Sequence, residues 1–281
     1  MPSARTLIDW HSHVWLLDHF PPEALVERRT KPGLGDAARG APALHRDAMQ
    51  AVDRYVIVGL QLPWIHIPND FVAEQVAAGG GRAIGFASVD PHRPDALVEF
   101  QRAVSVLGLR GLKLSPVYQG FDPRMDKAWA LYELADRLQV PVMFHVGGAN
   151  PASATLEHGN PVLLDPIARA FPGLRIIVAH LGQPNMAETV MLLRKHRNVF
   201  ADLSARFHRP WQLYNGLVVA LEYGVWDKLL FGSDFPVRTP AETIELFRGL
   251  RDMVKGTNLP QITDHMIDSV LYERPLSLLG L

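Results

Sequence analysis

Residues 6–13 read TLIDWHSH, a short apolar run that continues into an acid and two histidines. Short runs rich in Val, Ile, Leu and Phe recur along the chain, and most lack a clean alternation of polar and apolar residues. This pattern is typical of strands that are buried on both faces of a parallel sheet. It predicts eight strands, at Thr6–Asp9, Tyr55–Leu60, Ala83–Ser88, Gly111–Leu114, Val142–His145, Arg175–Ala179, Val199–Asp202 and Leu229–Gly232.

Segments with apolar residues at helical spacing lie between most of these strands. The predicted helices are Asp95–Leu107, Asp126–Leu138, Asp165–Phe171, Asn185–His196, Pro210–Tyr223 and Pro240–Val254. Before the last of them, Thr239 has the residue type of a helix N-cap and Pro240 that of a first helical residue.

Strands alternating with helices over 281 residues predict an α/β protein with a closed (β/α)8 TIM barrel. A doubly wound open sheet is the alternative. No composition break divides the chain, so residues 1–281 are predicted to form a single domain. Residues 14–42 follow the first strand and carry four Pro and three Gly, which predicts a long loop or insertion over the barrel mouth.

Composition excludes several functional classes. The 28 basic and 29 acidic residues give a net charge of −1, so the basic excess of a nucleic-acid binder is missing. The chain has no Cys, which excludes disulfides, thiolate metal ligands and thiol catalysis. No apolar run is long enough to cross a membrane. We therefore expect a cytoplasmic protein that acts on a small molecule, with a homodimer through the outer helices as one possible assembly.

Reactive side chains stand where several predicted strands end. In a barrel of this kind the functional residues lie at the carboxyl ends of the strands. His11 and His13 are two residues apart in an extended segment, so their side chains project to the same side. His145 adds a third imidazole and Asp234 a carboxylate. Three His and one Asp suit a catalytic Zn²⁺, with Mn²⁺ also possible, and leave a position for water or substrate.

Several segments together carry a family resemblance. They are Asp9-x-His11-x-His13, PVMFHVG at 141–147, IVAHLG at 177–182, FGSDFP at 231–236, and GLKLSP at 111–116 followed by YQGF at 118–121. The combination resembles the amidohydrolase superfamily, and more narrowly the amidohydrolase-2 group of metal-dependent hydrolases and decarboxylases. The resemblance spans Ile8 to Asp234 and continues weakly to the C-terminus.

The resemblance implies a (β/α)8 barrel with one divalent metal ion. At the matching motif positions it implies that His11, His13, His145 and Asp234 bind the metal, and that His180 is the general acid/base beside it. The leading hypothesis is hydrolysis of a lactone, ester or amide of a small, carboxylated substrate. In this hypothesis metal-activated water attacks the carbonyl, while His180 or Asp234 accepts the proton and delivers it to the leaving group.

Two other hypotheses remain open. A metal-dependent, non-oxidative decarboxylase of a small aromatic or muconate-like acid would use His180 to protonate the carbon that loses CO₂. The decarboxylase branch commonly has Glu where this chain has Gln183, and a neutral amide cannot relay a proton as Glu can, so the sequence favours hydrolysis. A barrel that binds a small molecule without catalysis is the third hypothesis, and it predicts neither bound metal nor activity.

Further residues are candidates for contact with the substrate. Lys113 could bind a carboxylate or be carbamylated as a ligand, with a salt bridge as the alternative. Arg206 could clamp an anion, with a solvated loop arginine as the alternative. Tyr118 could reach the substrate. Asp9 could orient a ligand His, with a hydrogen-bond acceptor at the strand end as the alternative. Trp15, Trp64 and His66 could wall an apolar pocket or simply pack. The remaining histidines are predicted to lie at the surface or in loops: His19, His45, His92, His158, His196, His208 and His265.

Overall fold

Eight parallel strands form the centre of the protein. The computed structural model describes residues 5–30, 36–149 and 151–281. Neighbouring strands in the sheet are also neighbours in the chain, in the order β1 to β8. These strands are β1 Ile8–Ser12, β2 Arg54–Val58, β3 Ala83–Ser88, β4 Leu112–Leu114, β5 Val142–Phe144, β6 Ile176–Val178, β7 Val199–Asp202 and β8 Leu229–Leu230.

Hydrogen bonds between the first and last strand regions close the sheet into a barrel. Trp10 N donates to Phe231 O at 2.9 Å, and His13 N donates to Phe235 O at 2.8 Å. Ser12 and Phe235 also form a parallel bridge. The predicted (β/α)8 barrel is therefore confirmed, and the open doubly wound sheet is excluded because its edge strands would remain apart.

Helices surround the barrel and connect its strands. They are α1 Pro22–Thr30, α2 Pro42–Ala48, α3 Asn69–Ala78, α4 Ala96–Ser105, α5 Pro116–Gln119, α6 Asp126–Leu138, α7 Asp165–Ala170, α8 Met186–Lys195, α9 Pro210–Glu222, α10 Pro240–Met253 and α11 Asp264–Tyr272. Single turns of 3-10 helix lie at Leu17–His19, Ala37–Gly40, Met49–Ala51, Leu156–Gly159, Pro161–Leu164, Ala179–Gly182, Trp226–Lys228 and Leu276–Leu279. A two-strand hairpin joins Gln61–Leu62 to Ile65–His66.

All eight predicted strands are confirmed, with ends displaced by a few residues. Each of the six predicted helices is also present, but the pattern missed α1, α2, α3, α5 and α11. The described residues of the predicted loop or insertion at 14–42 include α1 and two 3-10 turns. Trp15 and Phe20 pack edge to face in the core, with ring centroids 5.6 Å apart, and so hold this segment on the barrel.

Two apolar layers make up the core. Alternate strand residues such as Val56, Phe86 and Met143 fill the barrel interior, and the others face the helices. Leu279 is fully buried against the interior layer, so the C-terminal turn closes the amino end of the barrel. Among the described residues, no helix combines the length and apolar character that crossing a membrane requires.

Candidate active site

His11, His13 and Asp234 meet at the carboxyl end of the barrel. His11 Nε2 lies 3.2 Å from His13 Nε2 and 3.6 Å from Asp234 Oδ1, and His13 Nε2 lies 3.3 Å from the same oxygen. An ion held by bonds of about 2.0–2.2 Å at 90–110° would separate its ligand atoms by roughly 2.8–3.6 Å. The three measured separations fall in that range, so the triangle has the dimensions of a metal site.

Hydrogen bonds behind the two imidazoles determine which nitrogen faces the triangle. His11 Nδ1 lies 3.0 Å from Asp202 Oδ2, and His13 Nδ1 lies 2.7 Å from the Val58 carbonyl oxygen. Both partners accept only, so each Nδ1 carries the proton and each neutral ring turns its Nε2 lone pair toward Asp234. Three lone pairs that face one point require a cation between them, either a shared proton or a metal ion.

The strand that carries the two histidines is irregular at the point where they stand. The register between β1 and β2 shifts between Asp9 and Ser12. Such an irregularity re-aims side chains, and it occurs often beside active sites. Trp10 therefore packs in the barrel interior, while the side chains of His11 and His13 both face the site at the carboxyl end of the strand.

Backbone contacts to β1 hold Asp234 in place. Asp234 N donates to His11 O at 2.8 Å, and the residue has a left-handed φ of 57°. Such a conformation is unfavourable for a residue other than Gly, and it occurs often at functional sites. A Cβ on Gly232 would lie 3.0 Å from the Cβ atoms of both His11 and Ser204, so only Gly allows this close approach without displacing one of them.

The electrostatic surroundings keep Asp234 ionised. Burial alone would raise the pKa of this carboxyl. When a proton is shared among the three groups, the hydrogen bond with His13 and the charges of His11 and Lys113 outweigh burial, and they lower the pKa to about 2. The site therefore presents a carboxylate at neutral pH.

Asp202, at the end of β7, joins two of the site histidines. Its Oδ2 accepts from His11 Nδ1, and its Oδ1 accepts from Ser204 Oγ and from His180 N, the latter at 3.1 Å. Ser204 Oγ in turn lies 2.7 Å from His180 Nδ1. Because the serine proton goes to the carboxylate, Ser204 accepts from His180 Nδ1–H, and the lone pair of neutral His180 lies on Nε2.

His11, His180 and Asp202 also have donor atoms within 4.8 Å of one another and form a second group that could hold an ion. We assign this group a supporting role. Its nitrogens already donate to Asp202 and Ser204, and its members are buried. An ion held by the two Nδ1 atoms would have to displace these hydrogen bonds, whereas the triangle with His13 and Asp234 lacks only its cation.

His180 lies directly against the triangle. Its ring stacks on His11 with centroids 4.9 Å apart, and its φ of 57° is again left-handed. Burial, followed by the neighbouring His145 and His11, lowers the pKa of His180 well below its usual value. A neutral imidazole with an unprotonated Nε2 can act as a general base.

His145 stands one ring away from the triangle. It contacts His180 edge to face at 4.9 Å and Tyr118 at 4.5 Å. Among the described residues, His145 belongs to neither of the two groups whose possible metal-ligand atoms lie within 4.8 Å of one another. Burial, followed by the charges of Lys113 and Arg206, lowers its pKa to about 3. Its role as a metal ligand stays a prediction.

Aromatic residues continue this row of rings outward. Tyr118, on α5, contacts Trp64 edge to face at 5.0 Å. Burial raises the pKa of Tyr118 to about 12, so its hydroxyl stays protonated and can donate a hydrogen bond. Both rings are half-buried and lie in segments that follow strand ends, as residues of a substrate wall would.

Both predicted basic residues lie close to the site. Lys113 is 1% exposed, and its Nζ lies 3.5 Å from His11 Nε2. Burial lowers its pKa to about 8. Arg206 donates from Nη1 to the amide oxygen of Gln183, and its buried Nε has no hydrogen-bond partner among the described residues. No carboxylate pairs with Arg206 within the part of the chain that the structure describes, although Asp234 attracts it from farther away.

Three residues that the sequence left open or placed at the surface or in loops are buried. Trp15 donates to Ala37 O at 2.7 Å and is buried, so it packs beneath its own segment, which is the alternative that the sequence left open. Its contact with the substrate stays a prediction. His45 was expected at the surface or in a loop, but it is buried on α2, so that prediction was wrong. His196 lies in a loop, as predicted, and is buried there. His45 bonds to Ser12 Oγ at 3.1 Å, because α2 turns this face inward. His196 follows the end of α8 and bonds to Asp165 at 2.7 Å.

Asp9 accepts hydrogen bonds from His11 N and from Ser233, and not from an imidazole ring among the described residues. Its carboxylate accepts from His11 N at 3.1 Å and from Ser233 N and Oγ at 3.0 and 2.6 Å. It therefore joins β1 to the segment that carries Asp234. Burial raises its pKa to about 7.

Sequence reasoning missed Asp202 and Ser204. One signal was present, since Asp202 ends a buried strand just as the other site residues do. The partner of that carboxylate could not be read from the sequence, because His11 lies 191 positions away in the chain.

Fold and site together define a TIM-barrel protein with a candidate metal centre and an adjacent imidazole base. The amidohydrolase family model matches residues 8–281. The chain therefore belongs to the amidohydrolase-2 family, as its motifs suggested, and it is a member of an enzyme family.

Two relatives are gamma-resorcylate decarboxylases. The protein of Polaromonas sp. strain JS666 is 29% identical over 145 residues, and that of Rhodococcus jostii strain RHA1 is 30% identical over 169 residues. The alignments cover 41% and 48% of this chain and 43% and 49% of the relatives. The matched part thus spans less than half the length of either relative.

Solved structures share the whole fold at low identity. An uncharacterized TIM-barrel protein of Bordetella bronchiseptica has a TM-score of 0.76 at 19% identity and covers 98% of this chain and 99% of its own. A probable 2-pyrone-4,6-dicarboxylic acid hydrolase of Acinetobacter baumannii, with citric acid bound, has a TM-score of 0.70 at 17% identity, covering 98% and 100%. A dihydroxybenzoic acid decarboxylase of Polaromonas sp. JS666, with manganese and 2-nitroresorcinol bound, has a TM-score of 0.66 at 17% identity, covering 99% and 98%.

Proposed function

We propose that this protein is a metal-dependent hydrolase that opens a lactone, ester or amide in a small substrate carrying a carboxylate. The observation that carries the proposal is the triangle of His11 Nε2, His13 Nε2 and Asp234 Oδ1, with the unprotonated Nε2 of His180 beside it. A cation site next to a neutral base is the arrangement that water activation requires.

The triangle would hold one divalent ion, with His145 as a further predicted ligand. Two imidazoles and a carboxylate suit Zn²⁺, and Mn²⁺ is the alternative, supported by the manganese in the Polaromonas structure. When bound, the ion supplies Lewis-acid polarisation of a carbonyl and makes water more acidic.

The chain's own residues would move the protons. His180 accepts the proton of the attacking water at Nε2, while its Nδ1–H stays fixed on Ser204. The charged imidazolium formed in this step is stabilised by Asp202, which lies 3.9 Å from His180 Nδ1. His180 then returns the proton to the leaving oxygen or nitrogen. Asp234 is the second acid/base candidate, through the oxygen that does not face the two imidazoles.

Arg206 and Lys113 would orient the substrate. The guanidinium of Arg206 is bonded to the neutral amide of Gln183 and to no carboxylate among the described residues. A buried cation without an anionic partner is stabilised when a carboxylate arrives. Tyr118 would donate a hydrogen bond from its protonated hydroxyl, and Trp64 would pack against an apolar or planar part of the substrate.

The test is an activity screen of the purified protein with Zn²⁺ or Mn²⁺ in H₂¹⁸O. The substrates are a set of lactones that includes 2-pyrone-4,6-dicarboxylate. The aromatic acid 2,6-dihydroxybenzoate is tested beside them for decarboxylation. Hydrolysis places ¹⁸O in the product and releases no CO₂. The His180→Ala variant should lose a factor of roughly 10²–10⁴ in kcat while it retains the metal. His265→Ala, a change at an exposed histidine of α11, should keep full activity. An unchanged kcat for His180→Ala would remove this residue from the acid/base role.

Decarboxylation is the second candidate, and the two gamma-resorcylate decarboxylases support it. In that case His180, once protonated, would deliver its proton to the carbon that loses CO₂. Gln183 argues against it, because its amide is bonded to Arg206 and Gln212 and supplies no acid at this position. CO₂ release without incorporation of ¹⁸O would establish decarboxylation instead of hydrolysis.

A further inference from the structure

Lys113 is the buried cation nearest to the candidate metal centre. It is the middle residue of β4 and pairs with Met143, which belongs to the barrel interior. The side chain is 1% exposed, so its ammonium is withdrawn from bulk solvent. A buried ammonium needs polar partners, and no carboxylate lies within ion-pair distance of Lys113 Nζ among the residues described.

The polar contact that the structure shows for Lys113 Nζ involves a proposed metal ligand. Nζ lies 3.5 Å from His11 Nε2. His11 Nδ1 is already committed to Asp202, so Nε2 carries the single lone pair of the ring. That lone pair can accept a hydrogen bond from the ammonium or bind a metal ion, but it cannot do both.

We infer that Lys113 is an internal cation that competes with the divalent ion for His11 Nε2 and thereby weakens metal binding. The inference rests on the metal site of the proposed function. Without metal, the ammonium compensates part of the negative charge of Asp202 and Asp234, both of which attract it. With metal bound, the ammonium loses its contact and lies beside a dication, which is electrostatically unfavourable in a buried site.

Titration of the full-length protein with Mn²⁺ and with Zn²⁺ tests this competition by calorimetry. Lys113→Met keeps most of the side-chain volume and removes the charge, so it should bind either ion roughly tenfold or more tightly than the wild type. Lys113→Gln is the second variant, in case the first does not fold, and circular dichroism checks both. Lys127→Met, which removes a lysine on α6 that contacts His92 O, is the matched control and should bind like the wild type.

The outcomes separate this inference from the proposed function. Equal affinity of the wild type and the Lys113 variants would overturn the inference and leave the metal site in place. Weaker binding by the variants would also overturn it, since Lys113 would then support the ion. Binding by the variants but not by the wild type would uphold the inference and remove metal dependence from the proposed function. No binding by any of the proteins would overturn both.

Discussion

Hydrogen bonds determine which nitrogen each site histidine presents, so residues of the same type have different surroundings and one common orientation. His11, His13 and His180 are all buried imidazoles, yet each presents Nε2 because a different acceptor holds its Nδ1. Asp202 determines two of these three orientations, directly for His11 and through Ser204 for His180. Burial alone would raise the pKa of Asp202, but its interactions with His11 outweigh burial and hold the pKa below its usual range, so it remains an acceptor.

His45 shows the energetic consequence of burying a histidine. It is 2% exposed on α2 and lies between the rings of Tyr55 and Phe235, both at 5.4 Å. Burial, followed by the charges of His13 and Arg46, lowers its pKa from 6.5 to about 3. Between these two pH values the unfolded chain binds a proton that native His45 does not, so the free energy of unfolding falls as the pH falls.

From pH 7 to pH 5 this histidine should account for a loss of about 2 kcal/mol in the free energy of unfolding. Urea denaturation of the wild type and of His45→Gln at both pH values measures it. The variant should lose less stability on acidification, because the other buried histidines contribute equally to both proteins. An identical loss in the two proteins would show that His45 is not the source.

At the scale of elements, the start of α10 follows the loop that carries Asp234. Thr239 caps this helix, since its Oγ1 accepts from Glu242 N at 3.2 Å and Glu242 Oε2 accepts from Thr239 N at 2.8 Å. This reciprocal pair confirms the N-cap that the sequence predicted, and it fixes where the loop ends and the helix begins.

Thr239→Ala should lower the free energy of unfolding by about 1 kcal/mol, because the first turn of α10 loses its side-chain acceptor. Thermal or urea denaturation measures this loss. Thr239→Ser keeps the hydroxyl and should retain most of the stability. If the Ser variant were as unstable as the Ala variant, the methyl group and not the cap would be responsible.

At the scale of the whole molecule, the two ends of the barrel serve different purposes. The carboxyl end carries the ionisable residues, while the amino end is closed by the C-terminal turn Leu276–Leu279. Arg110, just before β4, donates to Gly280 O at 3.4 Å, which places this turn at the amino end of the strands. Stability and chemistry are thus separated along the barrel axis, as in other TIM barrels.

Leu279→Ala should therefore cost about 3 kcal/mol in the free energy of unfolding, through the cavity left under the barrel. Metal affinity should not change, since the substitution lies at the opposite end from His11. Denaturation and metal titration of the same variant test both statements. Leu259→Ala, at a leucine that is 43% exposed, is the matched control and should be nearly neutral. A change in metal affinity for Leu279→Ala would contradict the separation of the two ends.

The sequence by itself determined the strands, the barrel and the family, because apolar periodicity and strand-end motifs are local signals. It also singled out His11, His13 and Asp234, which the structure brings together. Only the tertiary structure revealed Asp202, Ser204 and the contact between Lys113 and His11. These are pairings between distant strands, and no local pattern encodes which ring nitrogen faces which partner once the barrel has closed.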